Sequence, residues 1–507
     1  MHPITEAATT ASWLTDDEAT DAHRALRAYV GDYRDLGAAM ALLGWDQQTK
    51  LPAKGAAGRG RTMGALSTVL HERGTSPELD RLVAAVEEAD PDGPEAREWR
   101  RSFELSTKIP AAHVRRSSEA AAAGYGAWEQ ARASNDFASF LPHLEDLVDI
   151  ARADADFYGF ETEPYDALHD LYEEGSRAAD LEPMFAALRV PINRLLDQQP
   201  EPDTSILERD WHIAGQERFG VEVVRRMGFD FEGGRIDETA HPFCTTIGQF
   251  DTRLTTRYDT NWLPMSLFGT VHEAGHGIYE QAFDRLGLPR TLASAPGLGM
   301  HESQSRGYEN VIGRSHPFWE FWYPQLQAEF PEATKGVDLD AFVRQVNTAQ
   351  RSLIRVEADE LSYNLHLAVR FELERGLVNG TLAPKDLPEA WNATFEKWFG
   401  ITPPSDAEGC LQDVHWSGGS FGYFPTYTLG NVYAAQFIQQ AKSDLGGSDA
   451  WDGLLRTGEF GPIRDWLDAN IYRHGSAFTG RQFVQNVTGG PVDTAPLIAY
   501  LEDRFGV

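Results

Sequence analysis

TVHEAGHGIYEQ, at residues 270–281, places two histidines four positions apart with a glutamate directly after the first. Pro264 suits the first turn of a helix and Gly287 suits the cap that follows one. The apolar spacing between them predicts a single helix over about residues 265–286. Side chains at i and i+4 share one helix face, so the two imidazoles are expected to lie side by side.

The paired histidines, His272 and His276, indicate a metal site. Side chains at this spacing have Cβ atoms about 6 Å apart, and both imidazoles can bind one Zn²⁺ at roughly 2.1 Å. Glu273 lies one residue round the helix, where it can contact a metal-bound water without binding the metal. This is the HExxH pattern of metalloproteases, in which the glutamate is the general base. The simpler alternative is two ordinary histidines on a partly exposed helix, since three fixed positions often coincide by chance.

Three glycines, Gly269, Gly275 and Gly277, lie inside the same predicted helix. Each costs about 1 kcal/mol relative to alanine in a helix interior. We therefore expect neighbouring elements to pack closely against this helix near the site.

A catalytic zinc needs a third protein ligand and one open position. Glu302 and Glu309 follow in LGMHESQSRGYEN, a stretch that can itself be helical, and either carboxylate can reach back to the histidines. Glu280, one turn after His276, would bind only by a strained approach, and we interpret it as a solvated or outer carboxylate. Spacing alone does not decide whether Glu302 or Glu309 is the third ligand.

Length and composition indicate a water-soluble globular protein. The 507 residues allow two to four domains or one large enzyme-sized unit, and 42% of them are hydrophobic. The apolar runs fall short of the ~18 residues that cross a bilayer. The first residues lack the basic and apolar regions of a secretory signal, which predicts a cytoplasmic location without membrane partners. Cys244 and Cys410 form no CxxC pair and are predicted to be buried free thiols.

The charge balance is strongly acidic. Acidic residues outnumber basic ones 77 to 45, for a formal net charge of −32. Clustered lysine and arginine, which phosphate binding needs, are not found, and we predict no nucleic-acid partner. The acidity favours a halophilic source, because near molar salt the Debye length falls to about 3 Å and self-repulsion is screened.

Helical periodicity dominates the chain, with apolar residues at three-to-four spacing. It is clearest at residues 80–88, 96–105 and 137–157. QFDTRLTTRY, residues 249–258, instead alternates in polarity with β-branched threonines, which predicts a strand. Loops rich in proline, glycine and acids are predicted at residues 89–95, 198–204 and 402–409. The middle loop divides one body into an N-terminal helical half, about residues 1–200, and a catalytic half, about residues 201–507.

Several further motifs occur in a fixed order along the chain. They are WDQQTKLP at 45–52, HPF at 241–243, DTRLT at 251–255, HEAGH at 272–276, HESQ at 301–304, IRVEAD at 354–359 and GCLQDVHWSGGSFGYFPTYTLG at 409–430. Together they resemble the M32 family of metallocarboxypeptidases, the thermostable-carboxypeptidase type. The resemblance covers nearly the whole chain, with Ser362 standing where the family has threonine, a change that keeps the hydroxyl.

The resemblance implies His272, His276 and Glu302 as zinc ligands and Glu273 as base, and thereby prefers Glu302 over Glu309. It implies a mainly α fold, a single zincin-like helical body with a deep groove and a small β-sheet near the metal. It further implies a homodimer that removes single C-terminal residues from peptides, with broad specificity and proline disfavoured. One ion is expected per chain, and a His₂Glu site also accepts cobalt or manganese.

A carboxypeptidase must hold a free C-terminal carboxylate, and a buried arginine does this best. Arg355 is the candidate. Residues 340–375 predict one long helix on which Arg355, Asp359, Ser362 and His366 form a polar stripe lining a cavity. The alternative is an ordinary helix ion pair between Arg355 and Asp359.

Other substrate contacts are assigned to Arg253, His241 and Gln304. Arg253, on the predicted strand, is a second carboxylate candidate, and a structural salt bridge with Asp251 or Asp259 is its alternative. His241 precedes a proline and is expected in an extended conformation, where it serves either a cleft or outer packing. Gln304 belongs to the HESQ motif.

The glycine-rich, aromatic stretch after residue 409 predicts a loop that closes over a peptide. Zinc peptidases need a donor to the oxyanion that forms at the attacked carbonyl. We assign this role to His415 and Tyr427, with Tyr423 in reserve; the alternative is that these aromatic residues belong to the core.

Two other functions remain open at this level. An oligopeptidase with the same zinc site would cut internally, without an arginine that recognises the terminus. A catalytically silent peptide-binding protein would keep the zinc for structure alone, although such a site does not require Glu273.

Overall fold

The computed structural model describes residues 13–506, and α-helices make up most of that range. The helices are α1 Asp21–Thr49, α2 Ala56–Gly74, α3 Pro77–Ala89, α4 Pro94–Lys108, α5 Ala111–Ser134, α6 Phe137–Tyr158, α7 Pro164–His169, α8 Ala178–Gln198, α9 Ile213–Met227, α10 Leu263–Arg285, α11 Leu298–Arg306, α12 His316–Glu329, α13 Leu339–Val346, α14 Tyr363–Val378, α15 Leu387–Phe399, α16 Pro425–Asp444, α17 Ser448–Thr457, α18 Gly461–Asn470, α19 Gly480–Thr488 and α20 Ala495–Phe505. The mainly helical fold is confirmed.

Local sequence signals place most of these helices correctly. The periodic stretches at residues 80–88, 96–105 and 137–157 lie inside α3, α4 and α6. The histidine helix is α10, with Pro264 in its first turn, as predicted. The three predicted breaks fall between helices, and the part of the chain that the structure describes contains no helix long and apolar enough to cross a membrane.

The prediction of one long helix over residues 340–375 is wrong. Helix α13 ends at Val346, a single 3₁₀ turn follows at Arg355–Glu357, and α14 begins only at Tyr363. The Asp359 carboxylate accepts the backbone N–H groups of Gln350 at 3.0 Å and Ser362 at 2.9 Å. An aspartate that satisfies backbone donors in this way stabilises a loop at the expense of a helix. The polar stripe therefore does not exist.

A small sheet lies against α10. Its strands are β1 Gly234–Glu238, β2 Cys244–Gly248 and β3 Asp251–Thr256, in the order β1-β3-β2, with β1 parallel and β2 antiparallel to β3. The strand predicted at residues 249–258 is thus confirmed with narrower bounds. The Thr270 hydroxyl of α10 donates to Thr256 of β3 at 2.8 Å, and Thr246 of β2 donates to Glu280 at 3.0 Å.

One large hydrophobic core runs through the described residues from Trp128 to Phe505 and includes Leu196 and Ile206, on either side of the loop at residues 198–204. A smaller core joins α1, α3 and α4 around Leu26 and Trp99. The two halves of the chain are therefore packed through a shared core. Both cysteines are free thiols; Cys410 is buried, whereas Cys244 is only partly buried.

The glycines of α10 differ in their surroundings. A Cβ at Gly275 would lie 2.6 Å from Cα of Ser305, and one at Gly277 would lie 2.7 Å from the Phe229 ring. Close packing is confirmed at these two positions. At Gly269 nothing lies within 4 Å of the added atom, and the expectation is wrong there.

Because of this difference, replacing glycine by alanine is expected to change the free energy of unfolding in opposite directions at two positions of α10. We expect Gly269→Ala to raise the free energy of unfolding by up to about 1 kcal/mol, because alanine has the higher helix propensity. Gly275→Ala is expected to lower it by about 1–3 kcal/mol, because the added methyl group must displace the α11 backbone. Thermal unfolding of both variants at one scan rate measures the difference. Equal midpoints would contradict the packing argument.

Candidate active site

Three donor atoms from α10 and α11 converge on one point. The Nε2 atoms of His272 and His276 lie 3.6 and 3.5 Å from Oε2 of Glu302. Two ligands held at roughly 2.1 Å by one tetrahedral zinc stand about 3.4 Å apart. The spacing and the two-imidazole, one-carboxylate donor set therefore fit a divalent ion such as Zn²⁺.

Close backbone approach places Glu302 between two helices. Gly275 of α10 faces the α11 backbone at Ser305, as described above. On the other side, a Cβ at Gly430 of α16 would lie 2.5 Å from Cγ of Glu302. A larger side chain at either glycine would push α11 away, so both are needed to bring the carboxylate to the imidazoles.

The second ring nitrogen of each histidine is also engaged. Nδ1 of His272 lies 2.9 Å from Oε2 of Glu309, and Nδ1 of His276 lies 3.0 Å from the carbonyl oxygen of His301. In the neutral form of each ring, these acceptors place the proton on Nδ1, which leaves Nε2 unprotonated and able to bind a cation. Glu309 thus orients His272, and Glu302 is the carboxylate at the Nε2 atoms.

Arg306 was missed by the sequence prediction. Its Nε lies 2.6 Å from Oε1 of Glu302, and its Nη1 lies 3.2 Å from Oε2 of Glu309. Glu302 and Arg306 are four residues apart on α11, a spacing that allows a helix ion pair and could have identified the residue. Glu309 is brought into range by a π-helical turn at Gly307–Ile312, for which the sequence gives no signal.

Glu273 is 7% exposed and directly follows His272 in α10. Burial raises the pKa of its carboxyl to about 7, although the charge of a protonated His272 opposes the rise. Burial lowers the pKa of His276 to about 3. At His272 burial also acts to lower the pKa, but Glu302 and Glu309 outweigh it and the pKa is raised. A carboxyl group with a pKa near neutrality is suited to exchanging protons.

Glu280 supports the site from outside. It lies 2.9 Å from Nε2 of His301, whose ring stacks on His276 with centroids 4.2 Å apart. It is outside the ligand trio, in agreement with its interpretation as an outer carboxylate.

Arg355 lies in a buried cluster of two arginines and one aspartate. Its Nε contacts Asp413 at 2.8 Å, and Arg370 contacts the other carboxylate oxygen at 2.6 Å. Asp359 instead accepts the backbone N–H groups of Gln350 and Ser362, so the alternative of an Arg355–Asp359 pair is wrong. With two guanidinium groups sharing one carboxylate, the cluster carries one excess positive charge.

Side-chain contacts connect this cluster to the metal-ligand candidates. Nη1 of Arg355 donates to the Tyr363 hydroxyl at 3.2 Å, and the guanidinium of Arg306 lies 4.4 Å from the Tyr363 ring centroid. Arg306 in turn contacts Glu302. Arg355 is therefore separated from Glu302 by two side chains.

His415, Tyr423 and Tyr427 form an aromatic group beside Arg355. Nε2 of His415 lies 3.5 Å from the Tyr427 hydroxyl, the Tyr423 and Tyr427 rings are 5.2 Å apart, and the guanidinium of Arg355 lies 5.5 Å from the Tyr427 ring. Burial, together with the charge of Arg355, lowers the pKa of His415 to about 4. His415 is therefore neutral near pH 7. His415 and Tyr423 precede α16, whereas Tyr427 lies in its first turn, so the predicted loop does not include Tyr427.

The remaining substrate-binding candidates lie in different surroundings. Arg253 pairs with Asp251 of the same strand at 2.7 Å, which fits the salt-bridge alternative, and it covers the Trp45 ring of α1 at 4.4 Å. His241 is exposed. Gln304 is 3% exposed, donates to Ser303 and accepts from the Tyr472 hydroxyl at 3.0 Å. Its amide is thus hydrogen-bonded to neighbouring buried side chains, and its role toward substrate stays a prediction.

Comparisons with known proteins agree on one family. The model for Carboxypeptidase Taq (M32) metallopeptidase matches residues 25–505. Thermostable carboxypeptidase 1 of Thermus thermophilus is 43% identical over 491 residues, which cover 92% of this chain and 94% of that protein. Carboxypeptidase 1 of Bacillus subtilis is 39% identical over 476 residues, covering 92% of this chain and 94% of its own length.

Solved structures give the same result. The crystal structure of the M32 carboxypeptidase from Deinococcus radiodurans R1 superimposes with a TM-score of 0.92 and 38% identity, covering 96% of this chain and 99% of that one. A structure of Pyrococcus furiosus carboxypeptidase also has a TM-score of 0.92, with 35% identity and the same coverage of both chains.

Proposed function

This chain belongs to the M32 family of metallocarboxypeptidases, and from that premise we propose that it uses one zinc ion to release single C-terminal residues from peptides of varied sequence. His272, His276 and Glu302 would hold the ion, with cobalt or manganese as alternatives. The observation that carries the proposal is the convergence of their three donor atoms, with the buried Glu273 directly after His272 on α10.

Zinc bound by three protein ligands supplies Lewis-acid chemistry, polarising the scissile carbonyl and lowering the pKa of water to about 7. Glu273 accepts a proton from the attacking water on its carboxylate and later donates it to the nitrogen of the leaving amino acid. Its burial supports this role, since a carboxyl group with a pKa near 7 takes up and releases a proton at little cost.

Arg355 is proposed to recognise the substrate's C-terminal carboxylate. The excess positive charge that it shares with Arg370 and Asp413 is buried, so an incoming carboxylate would meet it with little screening. The contacts through Tyr363 and Arg306 hold this charge at a fixed position relative to Glu302. Only the last peptide bond of a bound chain would then reach Glu273.

The Tyr427 hydroxyl is proposed to donate to the oxyanion, with Tyr423 in reserve. A pKa of about 4 argues against an imidazolium at His415 near neutral pH. The neutral imidazole can still donate an N–H to the oxyanion, or orient Tyr427 through the contact at 3.5 Å.

The test of this function compares one peptide as the free acid and as the C-terminal amide. We expect mass spectrometry to show stepwise loss of residues from the C-terminus of the acid, and kcat/KM for the amide lower by about 10–100-fold, the value of a hydrogen-bonded charge. Equal cleavage of both forms, or internal fragments, would favour the oligopeptidase. Stoichiometric peptide binding without cleavage would favour the peptide-binding protein.

Arg355→Ala is expected to lower kcat/KM for the free-acid peptide by about 10–100-fold and to leave the residual rate on the amide almost unchanged. Asp413 keeps Arg370 as its partner in this variant, so no buried carboxylate is left unpaired. Arg351→Ala is the control, because Arg351 pairs with Asp197 outside the site. A parallel loss on acid and amide would contradict terminal recognition by Arg355.

The homodimer, the cytoplasmic location, the salt-adapted source and the substrate roles of Arg253 and His241 stay predictions. Metal analysis of protein purified without added metal, combined with activity at low and high salt, addresses the ion and the source.

A further inference from the structure

A buried glutamate in the N-terminal half contacts the helix that carries Glu302. Glu173 lies in the turn after α7 and is 0% exposed. No lysine, arginine or histidine among residues 13–506 forms an ion pair with it. A buried carboxylate without a cationic partner needs other groups to stabilise it.

Those groups come from the helices around the metal site. Oε2 of Glu173 accepts the backbone N–H of Gly299, in the first turn of α11, at 2.9 Å. Oε1 accepts the Tyr433 hydroxyl of α16 at 3.0 Å. The backbone takes part as well: Leu298 donates its N–H to the carbonyl of Tyr172 at 2.9 Å. Glu173 therefore caps α11 from outside and joins it to α16.

Three glycines make room for this carboxylate. A Cβ at Gly297 or Gly299 would lie 2.6 or 2.8 Å from Oε2, and one at Gly480, the first residue of α19, would overlap Oε1. The carboxylate is thus enclosed by the N-termini of two helices, whose partial positive charge favours an anion. Space around it is restricted on every side that these glycines face.

The contacts of Glu173 lie one turn away from those of Glu302. Gly299 and Glu302 are three residues apart on α11, a helix of nine residues. Tyr433 and Gly430 are likewise three residues apart on α16, and Gly430 is the residue against which Glu302 packs. Residues at this spacing share a helix face. Glu173 therefore fixes the α11 face that carries Glu302 relative to the α16 face against which Glu302 packs.

We propose that Glu173 is a positioning residue that sets the location of Glu302 by fastening the first turn of α11 to Tyr433 of α16. The inference rests on the proposed function, because it takes Glu302 as a metal ligand. Without Glu173, the first turn of the short α11 would keep only the bond from Leu298 to Tyr172, and Oε2 of Glu302 would no longer be held at a fixed distance from both imidazoles.

The experiment measures the zinc dissociation constant by competition with a chromogenic chelator. Glu173→Ala is expected to raise Kd by about 10–100-fold, the effect typical of residues that orient metal ligands. Glu173→Gln is expected to restore Kd to within about threefold of the wild type, because its amide can accept from Gly299 and donate to Tyr433 while costing at most one weakened hydrogen bond. For Glu173→Ala, kcat measured at saturating zinc is expected to lie closer to the wild-type value than kcat/KM measured at limiting zinc.

Asp166→Ala is the matched control. Asp166 is also a buried carboxylate that accepts a helix N-terminal N–H, that of Ala178 at 2.8 Å, but α8 carries no site residue. The Asp166→Ala variant should have a lower thermal midpoint and the wild-type Kd for zinc. If Asp166→Ala weakened zinc binding as much as Glu173→Ala, or if Glu173→Ala bound zinc like the wild type, the proposal would be overturned.

Two further variants keep the test decisive. If Glu173→Ala does not fold, Tyr433→Phe removes one of the two hydrogen bonds without leaving a cavity; a raised Kd supports the proposal and a wild-type Kd rejects it. Glu302→Ala in the same assay separates the two levels of inference. Wild-type zinc affinity in Glu302→Ala would reject the proposed function, whereas loss of affinity there but not in the Glu173 and Tyr433 variants would reject only the positioning role.

Discussion

Glu273→Gln is expected to lower kcat by about 10²–10⁴-fold while one metal ion per chain remains bound. Glutamine has the same shape as glutamate but cannot take a proton from water at neutral pH. The three candidate ligands are untouched, since Glu273 is outside the trio. Steady-state kinetics together with metal analysis of the same sample measure both parts of the result.

Asp284→Asn is a suitable control for this variant. It makes the equivalent change near the end of the same helix, where Asp284 accepts the backbone N–H of Phe250 at 2.7 Å. Near-normal turnover is expected. If Glu273→Gln also turned over normally, the assignment of the base would be rejected; if it lost the metal, Glu273 would belong among the ligands.

Glu302→Ala is expected to weaken metal binding by more than the about 10–100-fold typical of an outer partner, and to reduce hydrolysis to background at micromolar metal. Arg306 keeps Glu309 as an ion-pair partner at 3.2 Å, so the variant leaves no buried guanidinium unpaired. Isothermal titration of the metal-free protein with zinc gives the affinity directly.

Glu309→Gln is the informative comparison, because Glu309 contacts the opposite nitrogen of His272. This variant should weaken metal binding only by about 10–100-fold, since Nε2 of His272 remains available to the ion. If Glu309→Gln weakened metal binding more than Glu302→Ala, Glu309 and not Glu302 would be the residue that binds the ion. This choice is the one that spacing along the chain could not make.

Several features of the fold could be predicted because they depend on short stretches of chain. Helices α3, α4, α6 and α10 follow from apolar periodicity and from proline and glycine at their ends. Strand β3 follows from alternating polarity. The failure at residues 340–375 has a specific cause: Asp359 bonds backbone donors nine and three residues away, and apolar spacing does not report such contacts.

Within the site, the residues that could be predicted fall into two groups. His272, Glu273 and His276 follow from helix geometry, whereas the choice of Glu302 came from a resemblance among motifs. Arg306 lies at a helical spacing from Glu302 and was overlooked. The partnership of Arg355 with Asp413 joins residues 58 positions apart, and nothing local to either residue indicates it.

The sequence by itself determined that two imidazoles and a carboxylate share one helix, because the rise and turn of an α-helix fix the neighbours of every residue within it. Only the tertiary structure decided which distant carboxylate meets those imidazoles, which one orients them, and which one anchors α11. These choices depend on how closely helices approach, and that distance is set by contacts such as Gly275 against Ser305 and Gly430 against Glu302. Packing between distant segments depends on all the surfaces that meet, so no single stretch of sequence specifies it.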